Sequence, residues 1–288
     1  MKLETHPFVH PDDLSQVPCS YVVVAVVSVV DPPRPAVTEP LQVLAVSPHP
    51  DDAAFSAGAT LATIVAHGHR VTLVTAFTGP TDSGDETMAA RRIEDMQAAA
   101  RLGVQRLVHL PFPEAHGRGY ENVTGALRPD DDIAPDLRAA LDVLGGFDLV
   151  LAPLALGEHV DHRQLRRAIG LPGRADDPEP AARFARGSLA LWRDTPHVIH
   201  GDDPPTPGDD AVVVSGEALE RKLAACACYA STLGAEFGGE RRMRRMLSDL
   251  AFEEGARHGR PAPAEAFAPA TPVVTALRSD TTPRSRAA

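Results

Sequence analysis

Cysteine and basic residues are both scarce in this chain of 288 residues. Its 3 Cys cannot form a closed set of disulfide pairs, which favours a reducing compartment. Asp and Glu number 39 against 28 Lys and Arg, so the formal net charge is -11. Because nucleic acid binds to clustered positive charge, this composition argues against a nucleic-acid partner.

Long apolar runs are limited to one, YVVVAVVSVV at 21–30. It is much shorter than the about 20 residues that span a bilayer, and its β-branched valines are typical of a buried strand. The N-terminal residues are acidic and polar, unlike the basic start of a secretory signal. We therefore expect a cytoplasmic protein that has no membrane partner.

Strands and helices alternate from Leu41 onward. Short apolar strands are predicted in the segments LQVLAVS (41–47), VTLVTAFTG (71–79), RLVHLPF (106–112) and FDLVLAP (147–153), and helical patterns separate them. This alternation predicts an α/β fold with a Rossmann-like, doubly wound, mostly parallel sheet and helices on both faces. In such a sheet, ligands bind beyond the carboxyl ends of the strands.

Two predicted helices carry apolar residues at helical spacing that we expect to face the core. The helix at 87–102 would place Ala89, Ile93, Met96 and Ala100 inward. A single later helix would place Leu219, Leu223, Cys226, Ala230 and Leu233 inward, and a second helix follows it with Met243, Met246 and Leu250.

The domain boundaries are predicted from composition. Residues 1–40 form an N-terminal extension with an extra strand, to which we assign no role. Residues 41–267 form a single domain. Residues 268–288, APATPVVTALRSDTTPRSRAA, are predicted to be a disordered tail.

The tetrapeptide His-Pro-Asp-Asp occurs twice, at 10–13 and at 49–52. The second copy follows a predicted strand and precedes a predicted helix, so it lies at the edge of the sheet where this fold places its sites. The first copy follows no strand, and Asp12 or Asp13 is better explained as the N-cap of a short turn at LSQ (14–16). The candidate functional residues of this tetrapeptide are therefore His49, Asp51 and Asp52.

A second cluster of titratable residues, GEHVDHRQL at 157–165, also follows a predicted strand. His159 and His162 are three residues apart, so they share a face if a helix begins there. Two His and one carboxylate are a ligand set of catalytic zinc, and the remaining His and Asp would be free for proton transfer. Each motif alone is a weak signal, but the two together at one sheet edge predict a metal-dependent catalytic site.

At these residues the sequence resembles the LmbE/PIG-L family of zinc-dependent N-deacetylases. The similarity extends over most of residues 41–267. It rests on SPHPDD (47–52), RRIEDMQAAARLGV (91–104) and EHVDHRQL (158–165), with weaker similarity in LWRDTPH (191–197), KLAACACYASTL (222–233) and AEAF (264–267). The resemblance implies a hydrolase that removes an N-acetyl group and holds one Zn²⁺ per chain.

The resemblance also implies a role for each residue of the two motifs. His49, Asp52 and His162 would hold the zinc. Asp51 would be the general base, and His159 would protonate the leaving amine or stabilise the oxyanion. Ala53 stands where the family usually has Glu, so the contacts around the ligands differ here.

Two further residues match positions that meet the substrate in some members of the family. Arg91 would contact the substrate, and the alternative is a helix-surface arginine paired with Asp95. Glu114 would lie near sugar hydroxyls, and the alternative is a solvated loop carboxylate.

The substrate implied by the resemblance is a soluble small molecule, an N-acetylated aminosugar conjugate that contains N-acetylglucosamine, such as a natural-product intermediate. One alternative is an amidase of a thiol conjugate of the mycothiol type. A second is a catalytically degenerate zinc-binding or scaffold protein, which the presence of all five site residues disfavours. A dinucleotide-binding enzyme is a third, but no G-x-G-x-x-G follows the first strand. The oligomeric state is not indicated by the sequence.

Overall fold

Eight strands form one sheet in the computed structural model, which describes residues 23–25, 39–80, 85–170, 185–195 and 210–278. The strands are β1 Val23–Ala25, β2 Gln42–Ser47, β3 Arg70–Thr75, β4 Arg106–His109, β5 Phe147–Pro153, β6 Ala185–Trp192, β7 Asp210–Val213 and β8 Ala264–Ala268. Their order across the sheet is β1-β4-β3-β2-β5-β6-β8-β7.

The five central strands, from β4 to β6, are parallel to one another. The outer strands β1 and β8 run antiparallel to their neighbours, and β7 runs antiparallel to β8. The predicted mostly parallel α/β sheet is therefore confirmed.

Helices cover both faces of this sheet. They are α1 Asp52–Ala66, α2 Asp85–Leu102, α3 Ala134–Asp142, α4 Val160–Ala168, α5 Gly216–Cys226, α6 Ala230–Phe237, α7 Glu240–Arg257 and α8 Thr271–Arg278. Along β2, Val43 and Ala45 pack in one hydrophobic cluster with α1, α2 and α5 to α8, whereas Leu44 and Val46 pack in another with α3 and α4. Alternate side chains of a strand point to opposite faces, so this central strand is buried on both sides, as a parallel sheet requires. None of the helices in the described ranges is long and apolar enough to cross a membrane.

The inward face of α2 differs from the prediction. Ile93 was expected to face the core, but it is 55% exposed, and Met88 and Leu102 are fully buried instead. The physical reason is Asp95, which is also buried and accepts hydrogen bonds from other elements. A buried carboxylate with several donors sets the rotation of the helix against the apolar pattern.

The single helix predicted across Leu219 to Leu233 is two helices, α5 and α6, so this prediction is wrong. The helical conformation is interrupted at Tyr229, whose φ of -85° and ψ of 61° are not helical. The break lets the Tyr229 hydroxyl donate a hydrogen bond of 2.7 Å to Asp95 Oδ1. The apolar spacing continues through the break, because Cys226 and Leu233 are both buried, so periodicity alone could not reveal it.

The prediction of a disordered tail is wrong for residues 268–278. Ala268 ends β8, and α8 follows with Val273 and Ala276 buried. The ring of His69, at the start of β3, donates a hydrogen bond of 2.9 Å from Nε2 to the carbonyl of Ala276. Residues 279–288 lie outside the described residues.

The predicted N-terminal extension is described only at β1. This strand pairs with β4 at an edge of the sheet, so the extra strand predicted within 21–30 is present over Val23–Ala25. The first His-Pro-Asp-Asp copy, at 10–13, lies outside the described residues.

Candidate metal and catalytic site

The two titratable motifs meet at the carboxyl edge of the sheet. One follows β2 and leads into α1, and the other follows β5 and leads into α4. Because β2 and β5 are parallel neighbours, their carboxyl ends lie side by side. The ring centroid of His49 lies 4.9 Å from that of His159 and 5.4 Å from that of His162.

The turn before α1 is held by its own hydrogen bonds. Ser47 Oγ donates to the His49 carbonyl and accepts from the Ala53 N–H. The backbone N–H of His49 donates to Asp52 Oδ2 over 2.9 Å. Asp51 has a φ of 108°, a backbone conformation that favours glycine and is energetically unfavourable for a residue with a side chain. Ala53 is buried in the hydrophobic cluster.

Three side chains form a group that could hold a metal ion. The candidate ligand atoms of His49, Asp52 and His162 all lie within 4.8 Å of one another. Asp52 Oδ2 is 3.1 Å from His49 Nδ1 and 3.3 Å from His162 Nε2. Two His and one carboxylate match the ligand set of a catalytic zinc.

The second nitrogen of His162 supports this assignment. His162 Nδ1 lies 2.8 Å from Asp194 Oδ1, which belongs to the loop after β6. Histidines that bind metals almost always donate their other N–H to such a partner, which fixes the ring and its tautomer. The residues present therefore fit a divalent metal ion.

A second group that could hold a metal ion consists of His49, His159 and Asp161, so it shares His49 with the first. Asp161 is already surrounded by donors, because it accepts from Arg118 Nη1 over 2.7 Å and from the Ala115 N–H over 3.0 Å. Its charge is thus balanced by a buried guanidinium. The group of His49, Asp52 and His162 is the better candidate for the metal.

Hydrogen bonds and charges within the ligand group shift the pKa values of its members. Burial alone would lower the pKa of His49, but the hydrogen bonds to Asp161 and Asp52 raise it to about 9. Burial also opposes charge on His162 and Asp52. Their mutual attraction nevertheless raises the pKa of His162 well above its usual range and lowers the pKa of Asp52 well below its own. Because histidine binds metals as the neutral ring, a metal ion would replace these protons.

Asp51 lies beside the ligand group but outside it. Burial, and then the charge of Asp52, raise the pKa of Asp51 to about 7. Its Oδ2 accepts a hydrogen bond of 2.8 Å from the hydroxyl of Thr232 in α6. A carboxyl group with a pKa near neutrality is suited to exchange protons at physiological pH.

His159 is the N-cap of α4, and its Nδ1 accepts the backbone N–H of Asp161 over 3.2 Å. Neutral His159 therefore carries its proton on Nε2. Burial, followed by the charges of His49 and His162, lowers the pKa of His159 to about 2.

A cavity of about 230 Å³ opens beside these residues. His49, Arg91, Glu114, Ala115, His116, Val123, His159 and Asp161 line it. Arg91 Nη1 donates to Glu114 Oε1 over 2.5 Å, and the Glu114 side chain is only 21% exposed. Arg91 thus pairs with Glu114 and not with Asp95, and Glu114 is not a solvated loop carboxylate. Contact of these two residues with the substrate stays a prediction.

Three supporting residues were missed by sequence reasoning: Asp194 beside His162, Thr232 beside Asp51, and Arg118 beside Asp161. Asp194 and Thr232 lie in two of the three segments of weaker family similarity, 191–197 and 222–233, and this similarity is the signal that could have located them.

Comparison with known proteins identifies the family of the region that carries both motifs. Residues 44–170 match the family described as PIG-L: GlcNAc-PI de-N-acetylase, which confirms the predicted family. A 2'-N-acetylparomamine deacetylase from Streptomyces fradiae is 35% identical over 142 residues, or 44% of this chain. The match spans 50% of that relative, about half its length.

Solved structures of deacetylases share the fold. The A40926 pseudoaglycone deacetylase Dbv21 is 25% identical, with a TM-score of 0.61 over 80% of this chain and 96% of that one. The zinc-inhibited form of teicoplanin deacetylase Orf2 is 24% identical, with a TM-score of 0.61 over 78% of this chain and 96% of that one. The N,N'-diacetylchitobiose deacetylase from Pyrococcus horikoshii is 22% identical, with a TM-score of 0.54 over 86% of this chain and 89% of that one.

Proposed function

Because residues 44–170 match the PIG-L family, we propose that this protein is a metal-dependent N-deacetylase of an N-acetylated aminosugar. The observation that carries the proposal is the group of His49, Asp52 and His162 beside Asp51, which is not part of the ligand group. The metal is Zn²⁺, one per chain, as two His and one carboxylate favour. We further propose a cytoplasmic location, which agrees with the low cysteine content.

A divalent ion held by His49, Asp52 and His162 would lower the pKa of water and polarise the acetamide carbonyl. Asp51 accepts the proton that the attacking water loses. Since Thr232 donates to Oδ2 of Asp51, Oδ1 is the oxygen available for this proton.

His159 acts as a neutral ring: its Nδ1 accepts a backbone N–H, so its Nε2–H can donate a hydrogen bond to the oxyanion of the tetrahedral intermediate. Asp51 passes the proton that it took from water to the departing amine. Water adds to the acetamide carbon, the C–N bond breaks, and the products are acetate and a free amine. Positioned acids and bases of this kind contribute about 10²–10⁴-fold to a rate.

The proposed substrate is a soluble natural-product intermediate that carries N-acetylglucosamine. The curated relative is a deacetylase of an acetylated paromamine, and two of the solved neighbours are deacetylases whose names connect them with the antimicrobial A40926 and with teicoplanin. The cavity of about 230 Å³ is smaller than the about 300–1,000 Å³ of pockets for drug-sized ligands. We expect it to take one sugar ring, with Arg91 and Glu114 facing its hydroxyls.

The test combines metal analysis with a panel of substrates. Zinc is measured by elemental analysis, and amine release is measured from N-acetylglucosamine conjugates, N-acetylated aminoglycosides and a mycothiol-type conjugate. About one zinc per chain with amine release from an aminosugar supports the proposal. Release only from the thiol conjugate would favour the amidase, and zinc without any release would favour a degenerate binding protein.

A further inference from the structure

We propose that Thr232 is a positioning residue for the general base Asp51, and that two carboxylates of α2 hold it in place. This inference rests on the proposed function. Thr232 lies outside residues 44–170, which match the PIG-L family, so the matched segment would depend on the later part of the chain for the orientation of its base.

The contact itself is direct. Thr232 Oγ1 donates to Asp51 Oδ2 over 2.8 Å, across 181 positions of sequence. Asp51 is buried, and its φ of 108° shows that surrounding contacts, not local preference, hold its backbone. With Oδ2 engaged, the carboxylate has one side-chain orientation and one oxygen left for the reacting water.

The start of α6, which carries Thr232, is fixed by α2. The Tyr229 hydroxyl donates to Asp95 Oδ1 over 2.7 Å. The backbone N–H of Ser231 donates to Glu94 Oε1 over 2.9 Å, and its hydroxyl donates to Glu94 Oε2. The consecutive residues Glu94 and Asp95 of α2 thus bind Ser231 and Tyr229, which lie on either side of the first residue of α6.

Asp95 is itself held from the sheet. It accepts from Thr75 Oγ1 over 2.7 Å and from His109 Nε2 over 2.8 Å, in addition to Tyr229. Asp95 is 1% exposed, and a fully satisfied buried network of this kind is rigid. The path from β3 and β4 through α2 to Thr232 therefore places the hydroxyl at a fixed point beside Asp51.

Catalysis is sensitive to such placement, because a proton acceptor displaced by a fraction of an ångström leaves the productive geometry. A hydrogen bond that only stabilised the fold would change unfolding and leave turnover unaffected. A positioning role predicts an effect on kcat while zinc content and KM are unchanged.

The variant Thr232→Val removes the hydroxyl and keeps the shape, and Thr232→Ser keeps the hydroxyl. We expect Thr232→Val to lower kcat by about 10-fold or more, with zinc per chain and KM as in wild type. Thr232→Ser should restore most of the activity. Thr63→Val is the matched control, because it removes a helical hydroxyl bonded to Ala59 O, away from the site, and should leave kcat unchanged.

A second readout does not depend on activity. In metal-free protein, Thr232→Val and Asp51→Ala are combined in a double-mutant cycle of urea unfolding, and the two effects should be non-additive. Additive effects on the free energy of unfolding would show that the side chains of Thr232 and Asp51 do not interact, and would overturn the proposal. An active wild type with unchanged kcat in Thr232→Val would overturn the positioning role alone, whereas a zinc-loaded wild type that releases no acetate would overturn the proposed function and this role together.

Discussion

Two regions of the molecule contribute differently to the candidate site. The motif segment, residues 44–170, supplies every proposed ligand and proton-transfer group. The later segment, residues 185–195 and 210–278, supplies Asp194 and Thr232, which contact those groups from outside. The difference indicates that part of the orientation of the catalytic groups is encoded outside the segment that supplies them.

The two segments are also bound together away from the site. Glu265 in β8 accepts the backbone N–H groups of Ala59 and Thr60 in α1, and Lys222 in α5 pairs with it over 2.7 Å. Because α1 begins at Asp52, these buried contacts hold the helix that carries a proposed metal ligand. The later segment is thus part of the same packed core.

The largest effect on zinc content and activity is expected from changing a proposed metal ligand in the motif segment. His162→Ala removes one of three proposed ligands, and we expect zinc to be lost and activity to fall to background. Elemental analysis of the purified variant measures this directly. Retention of one zinc per chain would remove His162 from the ligand set.

Asp51→Asn should have the next largest effect. The amide cannot accept the water proton, so we expect kcat to fall by about 10²–10⁴-fold while zinc content is unchanged. Steady-state kinetics with metal analysis on the same sample measures both quantities. Turnover at the wild-type rate would exclude Asp51 as the base.

A change in the later segment should act on the metal without removing a ligand. Asp194→Asn replaces the carboxylate bonded to His162 Nδ1 by a neutral group. We expect zinc affinity to fall by about 10–100-fold, measured by competition with a chelator of known affinity. Unchanged affinity would show that Asp194 does not support the metal through His162.

The smallest expected effect concerns the cavity wall. Glu114→Gln weakens the ion pair with Arg91 and removes an acceptor for a sugar hydroxyl. We expect KM to rise by about 2–10-fold, the equivalent of one hydrogen bond, with little change in kcat. A fall in kcat at constant KM would place Glu114 in the chemistry instead of in substrate binding.

The fold and the motif segment could be predicted because their signals are local. Each central strand is a short apolar run, and His49 to Asp52 and His159 to His162 directly follow two of these strands. The parallel arrangement of neighbouring strands then brings the two motifs to one edge. The principle needs no knowledge of tertiary contacts.

The contacts of the supporting residues could not be predicted, because the weak family similarity around these residues does not identify partners that are distant in the sequence. Nothing in the pattern around Thr232 indicates a partner 181 positions earlier. Asp95 rotates α2 so that Ile93 is exposed, and it draws Tyr229 out of the helix that the apolar spacing predicts. The contact of α8 with His69 likewise depends on a residue 207 positions earlier in the sequence.

The positive φ of Asp51 has a consequence for directed evolution of this protein. A φ of 108° with a side chain costs about 1–3 kcal/mol, whereas glycine in place of another residue costs roughly 0.5–1 kcal/mol of chain entropy. Asp51→Gly would also remove a buried charge beside Asp52. A library selected for thermal stability alone should therefore accumulate glycine at this position and lose the base, so any stability screen of this protein needs a simultaneous selection for turnover.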